Sequence, residues 1–142
     1  LIARVGEIIM NFEINGKGAP ATLISGMASD ISTWSMQVPS FALNFLTVRF
    51  DNRGTGKTEA PDRPYTIEVM ANDTSKLLDV IGIECSNLIG FGMGGRIALE
   101  MAIKHPTKVK SLILCSCAPK ATPFEKDLFS SLKSGIAGGI GR

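Results

Sequence analysis

A glycine cluster constrains this chain more than any other feature. Gly90-Phe91-Gly92-Met93-Gly94-Gly95 lies between a short apolar run, Ser86 to Gly90, and a helix-forming run, Gly94 to Lys104, with Pro106 just past its end. Glycines packed this densely serve a backbone that must turn sharply or be approached closely. The spacing predicts a strand, a tight turn and a helix over residues 88–95, with Gly92 at positive φ.

The rest of the chain alternates in the same way. Residues 4–14 read as an opening strand or hairpin, and Asn15-Gly16 as a hairpin-type turn. Ala21 to Ile24 suits a buried strand. Asp30 or Ser32 can cap a helix running to about Asn44, with Trp34, Val38 and Phe41 on one face. Phe45 to Phe50 is β-rich and stops at Asp51-Asn52-Arg53-Gly54, followed by a Pro-containing loop to Tyr65. Thr66 opens a helix to about Val80, with Gly82 as its stop. Val109 to Cys115 reads as another buried strand, and Phe124 to Lys133 as a further amphipathic helix. Strands apolar on both faces that alternate with helices predict an α/β fold: a mostly parallel sheet, helices on both faces and right-handed crossovers. Residues 1–120 form the sheet-bearing part. Residues 121–142 read as the start of a lid or connecting segment with a mobile Gly-rich end.

Composition narrows the function classes. A net charge of +2, with Lys and Arg scattered, gives no footprint for nucleic acid or an anionic membrane. No apolar stretch reaches the roughly 20 residues of a membrane span, and no signal peptide is recognisable. Cys85, Cys115 and Cys117 have no metal-ligand spacing and read as reduced thiols of a cytoplasmic protein, the last two on one face of one strand. A single histidine, His105, excludes a multi-histidine metal site. Both ends look like cuts rather than the ends of a finished domain.

Two phosphate-loop readings are weak. Asp51 to Thr58 nearly matches G-x-x-x-x-G-K-[ST]. However, Asp51 puts a carboxylate in place of the first glycine, and Pro61 and Pro64 break the helix that should follow. Gly90 to Gly95 spells G-x-G-x-x-G, but the next strand ends in Leu114-Cys115-Ser116-Cys117, without the carboxylate a dinucleotide site needs. A nucleotide-binding protein using Gly54–Thr58 or Gly90–Gly95 is therefore the least favoured reading, and no cofactor is expected.

A third frame explains more. Gly90-Phe91-Gly92-Met93-Gly94 fits the nucleophile elbow G-x-S-x-G everywhere except the middle position. With it come Ser25-Gly26 after an apolar strand and the turn Phe50 to Thr58. Further along stand Tyr65-Thr66-Ile67 with Asp73 and the run Leu77 to Ile81, then Gly94 to Ala102 with His105-Pro106 and Val109. Together these segments resemble the α/β-hydrolase family over about residues 5–120. The stretches Met27 to Trp34 and Gln37-Val38-Pro39 look most like 3-oxoadipate enol-lactonases and related carboxylic-ester hydrolases.

The resemblance implies an acyl-transfer site in which Gly92 stands at a vacant nucleophile position. The oxyanion donors would be the backbone amides of Met93 and Met27. Ser25, Gly26, Trp34 and Phe91, with Met27, would border the pocket for a small ester or lactone. The plain alternative for both methionines is core packing. The family's acid and histidine follow later strands, and His105 lies about 20 Å along the helix from the elbow. The expectation is a hydrolase-fold chain that is inactive as written; by the same resemblance Val109 to Cys115 lacks the strands that should lie beside it and becomes an unguarded edge, so the chain self-associates or needs a C-terminal half. The alternative is a non-catalytic small-molecule binding module on the same fold. Arg53 and Asp51 are expected to tie their turn together, and Arg96 and Glu100 to pair on the helix surface.

Overall fold

The computed structural model describes residues 1–120 and Pro123. Six strands form one sheet: β1 (Ile2–Val5), β2 (Ile8–Asn15), β3 (Ala19–Ile24), β4 (Phe45–Phe50), β5 (Ser86–Phe91) and β6 (Val109–Cys115), in the order β1-β2-β4-β3-β5-β6. β1, β2 and β4 pair antiparallel, whereas β4, β3, β5 and β6 run parallel. The helices are α1 (Val38–Phe41), α2 (Ile67–Val80) and α3 (Met93–Lys104), with 3-10 turns at Ile31–Trp34 and Pro106–Lys108.

Alternate residues of the strands feed two layers. Ile24, Val48, Phe50 and Leu88 join the main core with Leu77, Leu78, Ile97 and Met101 of α2 and α3. Leu23 and Ile89 face the other way, toward Trp34 and Val38. Polar residues inside the sheet are paired: the hydroxyls of Thr22 and Ser86 lie 2.8 Å apart across β3 and β5. α2 starts where Thr66 Oγ1 accepts from the Val69 amide and stops before Gly82, at φ 74°.

Four expectations are corrected. Asn15-Gly16 is not a hairpin, because β2 and β3 are not neighbours; both pair with β4, which inserts between them. The tight hairpin lies earlier, at Gly6-Glu7 between β1 and β2. The helix expected from Asp30 to Asn44 is broken into a 3-10 turn and the short α1, consistent with Pro39 at its start and the caps that serine and aspartate offer their own backbone. β6 forms as expected but is not buried: Ile113 and Leu114 are 53% and 41% exposed, and among the described residues nothing pairs with its outer edge. Cys117 does not share a strand face with Cys115, because β6 ends at Cys115 and Ser116 turns at φ 49°. The helix expected at Phe124 to Lys133 lies outside the described residues.

Candidate functional site

The strand, turn and helix are present. β5 ends at Phe91, Gly92 sits at φ 56° and ψ −116°, and α3 begins at Met93. The Gly92 amide donates to the Cys115 carbonyl at 2.9 Å, tying the turn to the end of β6. The flanking glycines are there for closeness. A Cβ on Gly90 would lie 2.6 Å from Gly95 Cα, and one on Gly94 would lie 2.7 Å from the Ser25 carbonyl oxygen. Position 92 is different: among the described residues a Cβ there would meet nothing within 4 Å. The one turn residue in left-handed space therefore points into open room.

A second loop lies against this turn. Gly26 is held so close to Phe91 that a Cβ would touch its carbonyl oxygen and ring at 3.3 Å. Ser25 is fully buried and donates from Oγ to the Asp30 carbonyl at 3.2 Å; the Asn52 amide group donates to the Ser25 carbonyl at 3.2 Å. Ala28 adopts φ 53°. Met27 is 45% exposed, and its amide has no acceptor among the described residues. Met93 is half-buried against the main core, and its amide, the first of α3, has no intrahelical acceptor. Core packing thus describes the Met93 side chain and fails for Met27.

Asp51 is the hub that holds this loop. One carboxylate oxygen accepts from the Ile31 amide at 2.7 Å; the other accepts from the Asn11 side chain at 2.8 Å and the Lys57 amide at 2.9 Å. A Cβ on Gly56 would collide with that carboxylate. The Gly54–Thr58 turn therefore wraps its own anion, which leaves no cradle for a phosphate. Asp51 ties its turn as expected, whereas among the described residues the Arg53 side chain makes no hydrogen bond within it. It reaches α2 instead, where its Nε and Nη2 grip the Asp73 carboxylate at 2.6 and 2.8 Å. That carboxylate raises the guanidinium pKa above its usual value. Arg96 turns to the Ala118 carbonyl, with Nε at 3.0 Å. Asp30 caps the 3-10 turn through the Ser32 amide at 2.8 Å. Hydrogen bonds from the Ser32 hydroxyl and amide hold its carboxyl below the usual value.

Trp34 and Phe91 come together, lining an apolar groove of about 460 Å³ with Phe41, Ile89, Ile113 and Cys115. Ser25, Gly26 and Met27 lie outside that lining. His105 ends α3 and meets Asn72 Oδ1 at 2.7 Å, one helix length from the turn. Sequence reasoning passed over Asn52, whose role depends on a loop 27 residues away, and Ile113, whose exposure depends on what sits beside β6. Among the described residues no cluster of histidine, cysteine and carboxylate side chains could hold a metal, and no helix is long and apolar enough to cross a membrane.

Comparison with known proteins gives a consistent picture. The alpha/beta hydrolase fold family profile matches residues 22–134. A protein of Azorhizobium caulinodans with the provisional name carbamate hydrolase RutD is 30% identical over 131 residues, covering 92% of this chain and 49% of that one. A fluoroacetate dehalogenase from a Burkholderia species is 32% identical over 127 residues, covering 86% and 42%. Among solved structures, a thermophilic esterase from Thermogutta terrifontis superposes with a TM-score of 0.86 at 29% identity, over 94% of this chain and 50% of the esterase. The chain spans about half the length of the curated relatives it matches. A profile match over residues 22–134, most of the chain, makes this chain a member of the alpha/beta hydrolase fold family.

Proposed function

We propose that a family-length parent of this chain, with serine at position 92, hydrolyses small carboxylic esters or lactones there, and that the chain as written, with Gly92, does not. The single observation that carries the reading is the elbow: a left-handed residue with open space above it, between two glycines that let strand and helix close up. A serine hydroxyl at 92 would attack the substrate carbonyl carbon while its proton passes to a histidine base. The carbonyl electrons would move onto oxygen, and collapse of that oxyanion would expel the alcohol, protonated by the same base; a water deprotonated by the histidine would then attack the acyl-serine carbonyl, and collapse of the second oxyanion would release the acid and return the proton to the serine oxygen. The Met93 amide at the start of α3 and the Met27 amide, without an acceptor among the described residues, are the donors that would stabilise the oxyanion. Gly92 supplies no oxygen, and His105 is tied to Asn72 a helix length away. Three free cysteines suit a reducing compartment, and we place the protein in the cytoplasm.

The second reading, a binding module that keeps the fold without chemistry, is favoured by Gly92 itself. One experiment separates the two. Gly92→Ser is introduced into a family-length version completed with the second half of the Azorhizobium relative, and p-nitrophenyl acetate hydrolysis is followed. A saturable rate present with serine and absent with glycine supports the hydrolase. A folded serine variant with no rate above buffer supports the binding module.

A further inference from the structure

The tip of the β1–β2 hairpin and one face of α2 enclose a polar cleft of about 240 Å³. Val69, Asn72, Asp73 and Lys76 line it at the spacing of a single helix face, and Glu7 and Arg53 complete the wall. It shares no lining residue with the apolar groove at Phe91. Donors outnumber acceptors in this cleft. Arg53 commits Nε and Nη2 to the two carboxylate oxygens of Asp73, and its side chain is 2% exposed. Its Nη1 is buried without a hydrogen-bond acceptor among the described residues, and Glu7 Oε1 stands off at 3.7 Å. Buried guanidinium nitrogens normally find a partner. Asn72 accepts on Oδ1 from His105 Nε2, which leaves its amide nitrogen without an acceptor among the described residues. Lys76 lies across the hairpin tip, where a Cβ on Gly6 would meet its Nζ at 3.1 Å, and its ammonium joins no ion pair among the described residues.

We infer that this cleft binds a phosphoryl group, as free phosphate or a small phosphate monoester, between Arg53 Nη1, Lys76 Nζ and Asn72 Nδ2. The donor set chooses the anion. A carboxylate is held best by two parallel N–H groups of one guanidinium. Here Nε and Nη2 are given to Asp73, so Nη1 is the guanidinium nitrogen left over. One N–H, one ammonium and one amide on three separate side chains suit oxygens spread around a tetrahedral centre. Two carboxylates border the cleft and set its limits. Asp73 is neutralised by Arg53. Glu7 is 45% exposed, and its Oε2 already meets Arg63 Nη2 at 2.7 Å. The anion takes the place of Glu7 Oε1 beside Nη1, while Glu7 stays with Arg63 at the rim; Glu7 is thus the ligand's competitor. The volume equals roughly eight waters at about 30 Å³ each, which leaves room for a short organic group against Val69. The cleft is separate from the Gly54–Thr58 turn, whose anion is Asp51, and it depends on no chemistry at residue 92.

The test uses the intact 142-residue chain, with inorganic phosphate and phenyl phosphate as probes and sodium chloride at equal ionic strength as the reference. Isothermal titration calorimetry measures binding, and lysine acetylation followed by peptide mass spectrometry locates it. Expected are saturable binding of at least one phosphate and acetylation of Lys76 slowed at least fivefold, with exposed Lys17 as the unchanged internal reference. Tighter binding of phenyl phosphate supports a monoester as the ligand, and tighter binding of inorganic phosphate supports the free ion. Lys76→Met should weaken binding at least tenfold, Glu7→Gln should strengthen it at least threefold, and Lys17→Met should leave it unchanged. All three positions are exposed, so none of these changes removes a core contact. The inference is overturned if neither phosphate binds more than chloride does, if binding leaves Lys76 at its free acetylation rate, or if Lys76→Met binds like the parent. Unchanged or weaker binding by Glu7→Gln overturns it too, since Glu7 would then not compete for the place beside Arg53.

Discussion

Asp73→Ala should be among the most damaging single changes away from the hydrophobic core. The Arg53 and Asp73 side chains are 2% and 8% exposed, and two charge-assisted hydrogen bonds of 2.6 and 2.8 Å join them. Without the carboxylate, the guanidinium retains the Tyr65 ring at 5.6 Å and Glu7 at 3.7 Å, and Glu7 is itself 45% exposed and shared with Arg63. Its Nη1 already lacks an acceptor among the described residues. Removing one partner of a buried pair costs about 3–5 kcal/mol, whereas alanine's better helix propensity returns only about 0.5 kcal/mol. With a urea slope of about 2 kcal/mol per molar, the unfolding midpoint should fall by about 2 M. The control is Glu13→Ala, which breaks the half-exposed Arg49–Glu13 pair and should cost about 1 kcal/mol or less. Replacing both partners, Arg53→Met with Asp73→Leu, should recover most of the loss because no charge is left stranded. Urea unfolding followed by far-ultraviolet circular dichroism measures all four proteins. Equal midpoints for Asp73→Ala and Glu13→Ala would refute the argument that burial makes this pair expensive to break.

Gly94→Ala should lower stability by about 1–3 kcal/mol, although alanine favours helices, because its Cβ would press on the Ser25 carbonyl; an unchanged thermal midpoint would contradict the close approach. Gly92→Ser should cost only about 1–2 kcal/mol, the strain of a side chain at φ 56°, since nothing crowds it. A larger loss in the same melt would mean that the space above the turn is filled. Ser32→Ala should raise the Asp30 carboxyl pKa toward its ordinary value, read by NMR titration. Because folding lowers this pKa, the stability it contributes is present above the unfolded value of 3.8 and fades as pH falls through the folded one. A titration midpoint that Ser32→Ala leaves unchanged would show that the Ser32 hydroxyl is not its cause.

What the sequence showed, and what it hid, follow one physical line. Phe45–Phe50, Ile67–Val80 and Ser86–Phe91 were legible because each is a continuous pattern bounded by its own stop signals. The turn at Gly92 was legible because close approach demands glycine at 90 and 94 whatever lies elsewhere. Pairing was not legible. Asn15-Gly16 carries hairpin residues, yet the neighbour of β2 is β4, about thirty residues on, and no local pattern encodes that choice. The bare edge of β6 was legible only through the family resemblance, since side-chain alternation reports a strand's faces and says nothing about its flanks. At the site, Gly92 and the Ser25–Met27 loop were found by frame. The Asn52 hydrogen bond to Ser25 and the unpartnered Trp34 indole required the folded chain, being properties of distance rather than of residue type.

The interleaved strand order has a consequence for the chain as it is made. β3 lies between β4 and β5, and its register with β5 matches Leu23 to Ile89. A ribosome that has just released β3 must add the residues up to Ile89 before that strand can gain its second neighbour. At ordinary elongation speeds this takes about 3–13 s. For that interval Leu23 and Ile24, later among the most deeply enclosed side chains, belong to an open-sided nascent intermediate. The yield of folded chain should therefore respond to holdase chaperones and to synonymous codon changes between positions 51 and 85, a stretch where a translational pause lengthens the exposure without altering a single residue.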